Sequence, residues 1–139
     1  MRAGIFLIMF LTGTVHAQDF VVVTSSETRL DQLSHFQLKQ IYLGKILRLK
    51  GEKLTPLQVK GKDPLRQSFE TTIFDPHFDL DNYWLARKLD ADASPPRTVG
   101  SWVLVLAYVE RNPGFIGYIP KENLADLKSR KVKILLIEK

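Results

Sequence analysis

An α/β domain with a mixed four-stranded sheet and helices on both faces is the fold this sequence predicts, on three observations. Short apolar runs rich in β-branched residues alternate with helical segments. Most of those helical segments open on a capping residue. The elements follow in the order βαβααβ, a short helical turn, then β, which suits a sheet sandwiched between helices.

Phe20-Val21-Val22-Val23 is a continuous apolar run of the kind buried in α/β sheets, so residues 19–24 form the first strand and Ser25-Ser26-Glu27-Thr28 breaks it. Ser34-His35-Phe36-Gln37 fits a capping box, with Leu33 and Leu38 placed as a hydrophobic staple. The helix it opens carries Leu38, Ile41 and Tyr42 on one face and stops at Gly44, which tolerates the left-handed conformation of a helix end. A basic loop at 45–52 leads to the second strand, 54–59. Pro56 has no N–H, which places it at an edge or at the first unpaired position of that strand.

Asp63-Pro64 opens the next helix as an N-cap followed by proline at the first helical position, and Leu65, Phe69, Thr72 and Ile73 form its inner face. Asp75-Pro76-His77 ends it. A third helix starts near Asp79 and carries Tyr83, Trp84 and Leu85, after which 90–96 is an extended connection. Ser101 is placed to cap the helix 102–111 by accepting a backbone N–H bond, and Pro113 cannot continue that helix. Gly114 suits a tight helix-to-strand turn, and Gly117 lets another backbone or a ligand approach the strand 115–119. A short helical turn at 120–128 precedes the last strand, 132–137.

The order and spacing of several short motifs resemble one family. They are Leu33-Ser34, then Gln37-Leu38-Lys39-Gln40-Ile41-Tyr42-Leu43-Gly44-Lys45, Gly51 and Thr55-Pro56-Leu57-Gln58-Val59 in the first half. Tyr83-Trp84, Pro95-Pro96, Ser101 and Asn112-Pro113-Gly114-Phe115-Ile116-Gly117-Tyr118-Ile119 follow in the second. Together they resemble the phosphate ABC transporter periplasmic substrate-binding family, and in particular short exported proteins that correspond to a single lobe of its type II periplasmic-binding-protein-like fold. The resemblance implies an anion-binding lobe rather than an enzyme. The chain departs from the larger family members in length, with room for one lobe where they trap ligand between two, and at one loop. Where the larger family members carry Arg-Ser-x-Ser-Gly-Thr around the oxyanion, this sequence has Lys60-Gly61-Lys62-Asp63-Pro64-Leu65-Arg66. A carboxylate at the cap opposes a bound phosphate, and Pro64 removes one donor.

Arg2, the apolar stretch 5–11 and the small residues of Val15-His16-Ala17 have the layout of an export signal, so 1–17 is expected to be a signal peptide cleaved after Ala17. The remaining 18–139 is expected to be one domain, periplasmic and free of disulfides, because the sequence has no cysteine. Between Lys39 and Arg66 eight basic residues face only Glu52 and Asp63, a bias toward anionic partners. Open α/β sheets place ligands where strands meet helix N-termini. The candidate oxyanion contacts are therefore Ser25 and Ser26 after the first strand; Lys60, Lys62 and Arg66 around the second helix start; and Arg97, Thr98 and Ser101 at the fourth.

No catalytic or metal-ligating set stands out. His35 and His77 are isolated, Asp79, Asp81, Asp90 and Asp92 suit caps and solvated loops, and Trp84 and Trp102 suit packing. No cofactor is expected, and export argues against nucleic acid. The partners expected are phosphate or another small oxyanion and an envelope membrane protein. Self-association through a face left uncovered by a single lobe is a further expectation. The competing reading is an interaction module of a periplasmic sensor or transport complex that has lost solute binding.

Overall fold

The computed structural model describes residues 19–87 and 94–139. The proposed signal peptide, Gln18, and residues 90–93 of the extended connection, including Asp90 and Asp92, lie outside the described residues. The chain forms β1 (Phe20–Ser25), β2 (Gln32–Ser34), α1 (His35–Tyr42), β3 (Arg48–Leu49), β4 (Glu52–Lys53), β5 (Thr55–Val59), α2 (Pro64–Ile73) and α3 (Leu80–Ala86). It continues with β6 (Arg97–Val99), α4 (Trp102–Arg111), β7 (Phe115–Pro120), a 3-10 turn (Lys121–Leu127) and β8 (Val132–Glu138).

The main sheet has six strands, not the expected four, in the order β2-β8-β1-β7-β5-β6. It is mixed. β1 runs antiparallel to both of its neighbours, while the β2–β8, β5–β7 and β5–β6 pairs are parallel. The two additional strands are three-residue segments that lengthen the sheet at its edges, and the basic loop at 45–52 holds the small β3–β4 hairpin.

Local chemistry sets the helix ends. In α1 the Gln37 N–H donates to Ser34 Oγ at 3.0 Å and the Ser34 N–H donates to Gln37 Oε1 at 2.9 Å, which completes the capping box. At the other end the Lys45 N–H reaches Gln40 O and the Gly44 N–H reaches Ile41 O, the paired bonds of a Schellman motif, with Gly44 at φ +71°. Trp84 closes over that glycine and donates from Nε1 to Tyr42 O at 3.1 Å. Trp84 is therefore a packing residue.

Two helical layers sandwich the sheet. On one face Phe69 of α2 stacks on Tyr118, with ring centroids 4.1 Å apart, and also meets Phe20 and Tyr42. Leu65, Phe69 and Ile73 are buried as expected, whereas Thr72 is exposed and donates to Ser68 O. On the other face Val105 of α4 sits directly over Gly117: a β-carbon there would lie 2.3 Å from Val105 Cγ1. The close approach at Gly117 is thus made by a helix side chain, not by a ligand or another backbone.

β5 lies inside the sheet, yet Pro56 fits. The Thr55 N–H points toward β7 and bonds Gly114 O, so the next backbone nitrogen points toward β6, which begins pairing only at Leu57. The missing donor falls at an unpaired position.

Candidate functional site

The ends of β5 and β6 lead into two helix N-termini, and the backbone there is held from several directions. β5 pairs with β7 only over Thr55 and Pro56. Beyond that, two buried phenols replace the ladder: Tyr42 OH donates to Leu57 O at 2.7 Å, and Tyr118 OH accepts from the Val59 N–H at 3.2 Å. Burial pushes the pKa of both phenols up, so they stay neutral at physiological pH.

Val59 also accepts from Arg66. The guanidinium donates from Nη1 to Val59 O at 3.3 Å, from Nε to Glu70 Oε1 at 2.7 Å and from Nη2 to Asp81 Oδ1 at 2.7 Å. Arg66 is only 3% exposed. Burial opposes its charge, but the two carboxylates outweigh that and hold its pKa above the ordinary arginine value. Glu70 shows the opposite balance. Its own burial outweighs the Arg66 contact and raises its pKa. Arg66, expected as an oxyanion contact, thus has all three arms of its fork on groups of the chain, and its side chain ties α2, α3 and the end of β5 together.

The α2 N-terminus is closed as well. Asp63 Oδ1 accepts from the Leu65 N–H at 2.9 Å, and Pro64 supplies no N–H.

The α4 N-terminus is open. Ser101 occupies the N-cap with φ −160° and ψ 165°, but its side chain makes no capping bond, contrary to the expected one. Ser101 O accepts from the Leu104 and Val105 N–H groups. The Trp102 and Val103 N–H groups, at the first two helical positions, have no intrahelical acceptor to reach. The Lys60 side chain reaches this end, its Cε lying 3.9 Å from where a β-carbon of Gly100 would be. Lys62 is exposed in the same β5–α2 loop. A lysine and two amides without an intrahelical acceptor, in one place, form an electropositive edge suited to a small anion.

The other candidates do not converge on it. Thr24 of β1 and Pro56 of β5 both lie opposite Ile116, but β1 runs the other way. Ser25 and Lys60 are consequently separated by about 16 Å along the strand direction. Ser25 is buried and its Oγ accepts from the Glu27 N–H, while Ser26 is exposed beside Lys131. Both belong to the opposite end of the sheet. The Arg97 guanidinium lies over the Tyr108 and Phe115 rings, and Thr98 Oγ1 accepts from Gln58 Nε2 at 2.9 Å. What the sequence left unread is Asp81, whose pairing with Arg66 spans 15 residues and has no local signature.

No protein-family model matches the chain, and no curated protein matches it in sequence. Solved structures do match in fold. An ABC-type phosphate transport receptor from Vibrio cholerae aligns with TM-score 0.65 and 21% identity over 86% of this chain and 46% of its own. PstS from Borrelia burgdorferi aligns with TM-score 0.68 and 18% identity, over 85% and 46% of the two chains. A putative phosphate ABC transporter substrate-binding protein with bound phosphate from Clostridium perfringens gives 0.60 and 20%, over 85% and 44%. This protein thus has a periplasmic-binding-protein-like fold and spans a little under half the length of the receptors it resembles.

Proposed function

We propose that this protein is an exported, phosphate-type solute-binding-like protein that takes a small inorganic oxyanion at the α4 N-terminus beside Lys60. One observation carries the reading: Ser101 leaves the first α4 amides uncapped at the edge that Lys60 reaches. The fold shared with phosphate-binding receptors supports phosphate or sulfate as the ligand class. The Asn-Pro-Gly turn and the α1 cap serve the scaffold, and neither the site nor the fold relatives call for an enzymatic role.

Calorimetric titration of the mature protein with phosphate and with sulfate tests this. Ser101→Asp keeps a good N-cap but sets a carboxylate on the free amides, so oxyanion affinity should fall by about tenfold or more while the helix stays intact. Lys60→Ala should weaken binding in the same titration. Wild-type protein that binds neither anion below millimolar concentration would sink the reading.

The competing role, docking onto an envelope sensor or transporter without a solute, is favoured by the exposed apolar residues Val103, Leu104 and Tyr108 on α4. The same titration separates the two.

Export is part of the proposal. No described helix is long and apolar enough to cross a membrane. Protein recovered from the periplasm should begin at Gln18. Membrane-bound material that retains Met1 would overturn both cleavage and the periplasmic location.

A further inference from the structure

We infer that Asp81 acts as an internal anion, occupying on Arg66 a position that an external oxyanion can take. The inference deepens the oxyanion-binding reading and rests on it for the ligand class. Arg66 and Asp81 are buried very unequally: the arginine side chain is 4% exposed, the aspartate side chain 67%. The cation belongs to the interior, where Glu70 and Val59 O hold two arms of the fork. Asp81 reaches it from the solvent side, at 2.7 Å from Nη2, and is the replaceable partner.

The pair also lies against the proposed anion edge. A β-carbon at Gly61, between Lys60 and Lys62, would be 3.6 Å from both Arg66 Nη1 and Asp81 Oδ2. The Arg66–Asp81 pair therefore packs against the loop that carries Lys60 and Lys62. A carboxylate and an oxyanion present the same oxygen acceptors to a guanidinium, so both compete for Nη2. Asp81 reserves Arg66 in the free protein and lowers the affinity of the neighbouring edge for anions.

The test is phosphate titration of wild type, Asp81→Asn and Asp79→Asn at one ionic strength, with the Arg66 Nε–Hε signal followed by NMR. Asp79 caps α3 through the Asn82 N–H, a role asparagine also fills. Asp79→Asn thus removes the same charge without touching Arg66 and measures the general electrostatic effect. Asp81→Asn should bind phosphate about tenfold more tightly than wild type, with the Arg66 signal shifting on saturation, while Asp79→Asn should change affinity by less than about twofold. Equal gains in the two variants, or an unmoved Arg66 signal, would overturn the inference even where wild type binds through Lys60. Binding by Asp81→Asn with the Arg66 shift, in the absence of wild-type binding, would support the inference and remove the Lys60 reading instead. No binding by any of the three proteins overturns both.

Discussion

Gly114→Ala is expected to destabilise the protein by about 3 kcal/mol, a large share of the total stability of a domain this size. Two costs combine. Gly114 sits at φ +90°, where an L side chain is strained. A β-carbon there would also lie 2.1 Å from Lys53 O, which is backbone and cannot rotate away. Nor can the turn shift freely. The Gly114 N–H donates to Thr28 Oγ1 at 3.1 Å, and Gly114 O accepts from the Thr55 N–H at 3.0 Å. Relieving the clash breaks bonds that start the β5–β7 pairing, which in turn positions the end of β5. Urea unfolding should show the midpoint falling steeply for Gly114→Ala. Pro113→Ala, at an exposed neighbour, should change stability by less than about 1 kcal/mol. A Gly114→Ala midpoint close to that of Pro113→Ala would mean that the turn has room to relax.

The features legible in the sequence are those whose physics is local. The capping box at Ser34, the left-handed stop at Gly44, the Asp63-Pro64 helix start and the turn at Gly114 each depend on a few consecutive residues, and each stands as expected. Strands with long apolar runs were legible for the same reason. β2 and β6 were not, because Gln32-Leu33-Ser34 and Arg97-Thr98-Val99 are too short and too polar to show a period and are strands only by pairing with β8 and β5. Lys50 and Gly51 both take positive φ at the tip of the β3–β4 hairpin, which basic composition disguised as a loop.

The candidate site divides along the same line. Ser101 as an N-cap position and Lys60 beside a helix start follow from sequence order. The direction of β1 does not. Placing Ser25 and Ser26 with Lys60 assumes that β1 runs parallel to β5, and its antiparallel pairing with β7 sends them to the far end. The state of Arg66 also depends on tertiary structure, since its burial and its partner on α3 appear only when α2 and α3 have packed.

Arg66→Ala should cost about 3 kcal/mol, because it leaves a mostly buried carboxylate without its cation and opens a cavity where the arginine stem packed. Glu70 is the carboxylate most affected, with its side chain 21% exposed against 67% for Asp81. The pH dependence identifies the cause. Burial already raises the Glu70 pKa in the folded protein, and Arg66 is the group that restrains this rise. Without Arg66 the folded-state pKa climbs further above its unfolded value, so the folded protein binds that proton more readily than the unfolded chain does. Stability then declines as pH rises through the Glu70 titration range. The deficit of Arg66→Ala relative to wild type should be largest near neutral pH and shrink below the ordinary glutamate range. Adding Glu70→Gln should recover part of the loss at neutral pH, since an amide can stay half-buried without a counterion. Urea unfolding of wild type, Arg66→Ala and Arg66→Ala/Glu70→Gln at acid and neutral pH measures all of this. A deficit that is the same at both pH values, with no recovery in the double variant, would assign the cost to lost packing and the Val59 hydrogen bond rather than to the stranded charge.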